Sequence, residues 1–176
     1  MDTLLSLSSF ESVRHVALPD GTVAHIRTLV VPFPGADPAK LAAGVLSSTY
    51  TSKPLVKSVT GADVFGELAI LDALRKDGWD GAWVDTFHGK KFWNQMPHVS
   101  TPVALPPAAA DLYRAIVAAN NGKASGFFDV FAWREKEVLF VEYKGPGDGS
   151  NKNETTWIAA ARRAGVTDAQ LLFVTC

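Results

Sequence analysis

The chain has 176 residues, 47% of them hydrophobic and 20% charged, and its 17 basic and 18 acidic side chains leave a formal charge of −1. This is globular composition, which excludes a disordered tail or a fibrous repeat. A charge near zero excludes a protein that coats nucleic acid through bulk electrostatics, while leaving room for a local basic patch. The single cysteine, Cys176, excludes an internal disulfide framework and a multi-cysteine zinc site. No basic and apolar leader opens the chain and no apolar run approaches the roughly 18 residues that span a bilayer, so the expected compartment is the cytoplasm and no membrane partner is expected.

In chain order, Ser12 to Ala17 and Thr22 to Val31 alternate apolar and polar residues around Pro19-Asp20-Gly21, which predicts a hairpin. Pro32 to Pro38 reads as a loop, and Ala39 to Leu46 as a short helix. Thr60, with Asp63 three residues later and Gly78 as a stop, predicts a helix over Thr60 to Asp77. The aromatic stretch Trp79 to Trp93 predicts strands around the His88-Gly89-Lys90-Lys91 turn, and Ala108 to Asn120 a second helix closed by Asn121-Gly122. Phe127 to Trp133 and Val138 to Lys144 predict two strands joined at Arg134 to Glu137. Asn151 to Ala164 predicts a helix with Glu154 as a helix-capping residue, and Gln170 to Val174 a last strand. The expected fold is α/β (α+β), a mixed sheet flanked by helices. Residues 1–58 form a β-rich N-terminal extension and 59–176 a core, together one compact domain.

The residues that carry chemistry lie in the predicted hairpin. Glu142 and Lys144 share a strand face with Val138 and Phe140, and Asp129 shares one with Phe127, Phe131 and Trp133. A turn centred on Glu135-Lys136 sets Trp133 against Val138 and therefore Asp129 against Glu142. Two close carboxylates raise one another's pKa unless a cation holds both ionised, and oxygen-only ligands suit Mg²⁺ or Mn²⁺. Lys144 would then serve an attacking water or stabilise developing negative charge. Glu67 shares its helical face with Ile70, Leu71 and Leu74, so it is a buried acid aimed inward, directly or through a water at the same metal. The histidines His15, His25, His88 and His98 lack zinc-hydrolase spacing.

Asp129 followed by Glu142-Tyr143-Lys144 resembles the D…ExK core of the PD-(D/E)xK nucleases. More narrowly, Gly126-Phe127-Phe128-Asp129-Val130 with Val141-Glu142-Tyr143-Lys144-Gly145-Pro146-Gly147-Asp148 resembles the VRR-Nuc family. The resemblance is close over Gly126 to Trp157, loose from Glu67, and absent from the first 58 or so residues. It implies a restriction-endonuclease-like fold and Mg²⁺- or Mn²⁺-dependent hydrolysis of DNA phosphodiesters, with RNA the more distant substrate. It also implies that Asp129, Glu142 and the Tyr143 backbone carbonyl bind metal, that Lys144 is the catalytic lysine, and that Glu67 completes the site. Phe128 stands where the superfamily has proline, and Glu154 where the family has glutamine.

Lys90, Lys91, Lys152, Arg162 and Arg163 are the candidate contacts to a DNA backbone. Stand-alone members of the family act as homodimers, and an acidic immunity protein is the natural partner if the chain is a toxin. The alternative reading is a non-catalytic restriction-like fold used as a nucleic-acid- or protein-binding module.

Overall fold

The computed structural model describes residues 1–35, 54–86, 91–96, 102–145 and 148–175. The short helix expected over Ala39 to Leu46, the turn around His88 and Pro146-Gly147 fall outside them. A first helix, α1 (Asp2–Leu7), leads into a hairpin of β1 (Phe10–Ala17) and β2 (Val23–Val30). Its turn is the one expected: the Asp20 side chain accepts from the Thr22 backbone N–H at 3.0 Å, and Gly21 supplies a φ of +82° that an L side chain rarely adopts.

The next segment departs from expectation. Residues 54–65 form a small hairpin, β3 (Leu55–Lys57) with β4 (Asp63–Phe65), and the helix α2 begins only at Gly66 and runs to Lys76. Thr60 is therefore no N-cap; it sits in the hairpin turn, where its hydroxyl lies 2.7 Å from that of Ser58. Asp63 pairs instead with Lys57 across the two strands, at 2.5 Å. Turn and N-cap use the same short polar side chains, so this motif reads either way in sequence.

From α2 onward the order is β5 (Asp80–Asp85), β6 (Lys91–Trp93), α3 (Pro107–Ala119), β7 (Val130–Arg134), β8 (Glu137–Lys144), α4 (Lys152–Arg163) and β9 (Leu171–Thr175). Seven strands form one mixed sheet in the order β1-β2-β9-β8-β7-β5-β6. β5, β7 and β8 are antiparallel neighbours, whereas β9 lies parallel to both β8 and β2. The chain after β8 must cross the sheet to run parallel, and α4 is that crossover. The N-terminal hairpin thus continues the same sheet beyond β9.

Alternation along the strands gives the sheet two buried faces. Val130, Ala132, Leu139 and Val141 pack with Leu68, Ile70, Leu71 and Leu74 of α2. Phe131 and Phe140, one residue out of phase, pack on the other face with Trp157 and Ile158 of α4 and Ile116 of α3. Trp157 is fully buried there, its ring 4.6 Å from that of Phe128 and 4.9 Å from that of Phe127. Burying each such side chain contributes about 2–3 kcal/mol, which is what clamps α4 over β8. Gly66 opens α2 where a Cβ would lie 2.4 Å from the Tyr143 ring, so only glycine lets this helix start against β8. Among the described residues no helix is long and apolar enough to cross a membrane.

Candidate active site

The register inferred from the hairpin is the register observed. Trp133 pairs with Val138 and Phe131 with Phe140, and Glu135 takes a φ of +53° in the turn. Two residues further along, Asp129 and Glu142 meet at the end of the ladder and interlock. The Asp129 backbone N–H donates to Glu142 Oε2 at 3.2 Å, and the Tyr143 backbone N–H donates to Asp129 Oδ2 at 2.9 Å. Each carboxylate thus accepts from a main-chain donor of the other's strand segment.

Lys144 lies on the same face and is 4% exposed. Its ammonium donates to Glu142 Oε1 at 3.0 Å and to Glu154 Oε2 at 2.5 Å. Glu154 comes from the first turn of α4, which Asn151 caps by accepting from the N–H groups of Asn153 and Glu154. The structure therefore corrects the assignment of Glu154 as a helix-capping residue. Its carboxylate turns inward, 1% exposed, and takes its second hydrogen bond from the Ser150 hydroxyl at 2.8 Å. The sequence holds the sign of this: Trp157, Ile158 and Ala161 follow at i+3, i+4 and i+7, the pattern that marks Glu67 as inward-facing.

Burial pushes the Glu142 carboxyl up to about 7, with Lys144 opposing the rise and the nearby Glu154 charge adding to it. Burial alone would lower Lys144, but the two carboxylates outweigh it and hold the ammonium above its ordinary value.

Glu67 is buried in the first turn of α2, and that helix packs on the opposite face of the sheet. Gly66 against Tyr143 places the start of α2 at the same end of β8 as the site. The structure does not join Glu67, Asp129 and Glu142 into one cluster: among the described residues no three His, Cys, Asp or Glu side chains converge to hold a metal. The pair Asp129 and Glu142 still fits a hard dication. Mg²⁺ keeps several waters and takes one or two carboxylates plus substrate phosphate oxygens, and the raised Glu142 carboxyl is a group that a cation would hold ionised.

Of the backbone-contact candidates, Lys90 lies outside the described residues. Lys91 is exposed at the start of β6, its ammonium 5.7 Å from the Trp93 ring centre. Lys152 is exposed at the end of α4 that carries Glu154. Arg162 and Arg163 sit at the opposite end of α4, roughly 12 Å further along the helix axis. There Arg162 pairs with Asp168 at 3.3 Å and Arg163 donates to the Ala119 carbonyl at 2.9 Å.

Two hollows meet the first turn of α4. One, of about 360 Å³, is lined by Arg14, Ser150 and Thr155 among others; the second, of about 440 Å³, by Thr86, Lys123, Ser125 and Asn153 among others. Asn153 and Thr155 are two residues apart, roughly 200° around a helix, so the hollows lie on opposite flanks of this turn. Sequence reasoning passed over both Arg14 and Lys123. Compared with protein-family models, curated proteins and solved structures, the chain matches none.

Proposed function

We propose that this protein is a metal-dependent nuclease that hydrolyses DNA phosphodiester bonds, with Asp129, Glu142 and Lys144 as its reacting centre. The observation that carries the reading is the interlock of Asp129 with Glu142 beside Lys144, at the end of two adjoining strands. The element order α2-β5-β6-α3-β7-β8-α4-β9, with α4 bridging the parallel pair, supports the restriction-endonuclease-like fold expected from the resemblance to the VRR-Nuc family.

Asp129 and Glu142 would hold the dication, and Glu67 would assist from the start of α2. A bound Mg²⁺ or Mn²⁺ supplies Lewis acidity and charge against the phosphate oxygens. The chain supplies the rest. The main-chain N–H donors keep both carboxylates in place without reorganisation. Lys144, kept protonated by its partners, offers positive charge to a developing oxyanion rather than acting as a base. Glu154 and Ser150 hold Lys144 at its station.

One observation favours the non-catalytic alternative: Lys144 is buried, with both neighbouring carboxylates on it, which is also what a structural ion-pair network looks like. The experiment that separates the two uses labelled single-stranded, duplex, flap and junction DNA with Mg²⁺, Mn²⁺ or EDTA. Wild type is run beside Asp129→Asn and Lys144→Ala, each checked for folding. Cutting that needs metal and falls at least a hundredfold in Asp129→Asn supports the nuclease. Metal-dependent cutting that persists in both variants rules this centre out, and no cutting by wild type supports the binding module.

A further inference from the structure

The N-terminal hairpin brings an arginine to the proposed site. Arg14 lies on β1, the sheet's edge strand, yet its guanidinium stands over the ring of Phe173 on β9, 5.3 Å from the ring centre. The Lys144 ammonium lies 5.9 Å from the same ring centre, and Phe173 pairs directly with Glu142 across β9 and β8. The two cations are therefore no more than about 11 Å apart. Among the described residues Arg14 has no carboxylate partner; its one hydrogen bond is a long one, 3.5 Å, to the backbone carbonyl of Asp148.

Between Arg14 and the loop before α4 lies the hollow of about 360 Å³, large enough for a phosphate with its sugar. Ser150 also lines it, and that hydroxyl reaches Lys144 through Glu154 by two hydrogen bonds. The Asp148 carboxylate, also on the wall, accepts from the Gly145 backbone N–H at 2.9 Å. The hollow thus offers the Arg14 guanidinium, held over an aromatic ring, to whatever enters it.

We propose that this hollow is a phosphate subsite, in which Arg14 grips a neighbouring backbone phosphate of the nucleic-acid strand whose reacting phosphate lies at Asp129, Glu142 and Lys144. The assignment rests on the nuclease reading for the location of the reacting phosphate. The spacing allows it, since the two cations are no more than about 11 Å apart, within reach of neighbouring phosphates on one strand. A guanidinium is the side chain suited to two-pronged phosphate binding while stacked on an aromatic ring. The N-terminal hairpin thereby acquires a role, extending the sheet so that Arg14 reaches over β2 to the substrate path.

The test is binding of a fluorescein-labelled single-stranded DNA oligonucleotide in EDTA, followed by anisotropy across roughly 50–200 mM NaCl. Wild type is compared with Arg14→Gln, Arg14→Lys and Arg27→Gln, the last a same-hairpin control whose arginine is tied to Glu11. Arg14→Gln is expected to weaken binding roughly tenfold and to lower the slope of log affinity against log salt by about 0.7. Arg14→Lys should keep the slope and lose part of the affinity, and Arg27→Gln should match wild type. An unchanged slope and affinity in Arg14→Gln, or no binding by wild type, overturns the subsite. So does a mononucleotide that binds as tightly as the oligonucleotide, which would make this a small-molecule phosphate site. If Arg14→Gln weakens binding but wild type never cuts DNA, the nuclease reading falls and the phosphate subsite stands.

Discussion

Asp129 and Glu142 hold each other through the main chain: the N–H of Asp129 donates to Glu142 at 3.2 Å, and the N–H of Tyr143, next to Glu142, donates to Asp129 at 2.9 Å. Each carboxylate is anchored by the strand segment that carries the other, so the pair depends on the β7–β8 register. A one-residue slip of either strand would send its carboxylate to the α2 face and part the pair.

Lys144 is the cation that makes this arrangement tolerable. Lys144→Ala leaves Glu142 and Glu154 buried without their ammonium, and breaking a buried pair from one side costs about 3–5 kcal/mol. The loss is expected to be larger near pH 8 than near pH 5, where a buried carboxyl raised to about 7 is already protonated. Urea unfolding at the two pH values checks it; equal losses at both would show that Lys144 is held by packing rather than charge.

The wild-type protein should show the companion effect in EDTA. Glu142 rises from 4.5 to about 7 on folding, so between these values the folded chain keeps a proton that the unfolded chain has released. Stability therefore falls as pH rises through that window, by about 3 kcal/mol in order of magnitude, and levels off above it. Lys144 is raised on folding, so its contribution persists through neutral pH and is lost only above 10.5. Glu142→Gln should flatten the slope between pH 4.5 and 7; an unchanged slope would place the titrating group elsewhere.

Divalent metal should reverse this penalty. Mg²⁺ or Mn²⁺ bound by Asp129 and Glu142 needs the ionised carboxylate, so the thermal shift on adding metal should be larger at pH 8 than at pH 6. At a metal concentration 100 times the Kd the gain is about 2.7 kcal/mol, and Asp129→Asn should remove most of it. A thermal shift independent of both pH and Asp129 would locate the metal away from this pair.

The hairpin and the helix at its end were readable in the sequence for different physical reasons. Strand side chains repeat every two residues, so fixing the turn at Glu135-Lys136 fixed the pairing of Trp133 with Val138 and hence the whole face. The start of α2 was not readable, because Ser58, Thr60 and Asp63 make a hairpin with residues that equally make an N-cap. Arg14 was hidden for another reason. Its approach to Phe173 depends on β2 lying parallel to β9, a contact between segments more than 140 residues apart that no local pattern encodes.

Gly126 sets the height of α4 above the site. Its φ is +79°, and a Cβ there would lie 2.2 Å from the Asn153 carbonyl oxygen, in the turn that presents Glu154. Gly126→Ala meets both a strained backbone and a main-chain clash, so a loss of at least about 2 kcal/mol is expected. The same change at Gly122, where a Cβ meets nothing within 4 Å although φ is +76°, should cost only the backbone strain. Denaturation of the two variants checks the contrast; equal losses would mean that α4 is not seated on Gly126.

Glu154→Gln tests how the second carboxylate tunes the first. Its charge helps to raise Glu142, while a glutamine can still accept from Lys144 and meet the Ser150 hydroxyl. Removing the charge lowers the Glu142 pKa, so Glu142 ionises at lower pH. If Glu142 must be ionised for metal-dependent cleavage, the acid limb of the pH–rate profile should move to lower pH in Glu154→Gln. The plateau rate should change less than in Glu154→Ala, which leaves Lys144 with one partner and a void beneath α4. Rates measured from about pH 5.5 to 9 with Mn²⁺ decide it. An acid limb that stays in place would mean that Glu142 does not set the pH dependence, and that Glu154 serves only to hold Lys144.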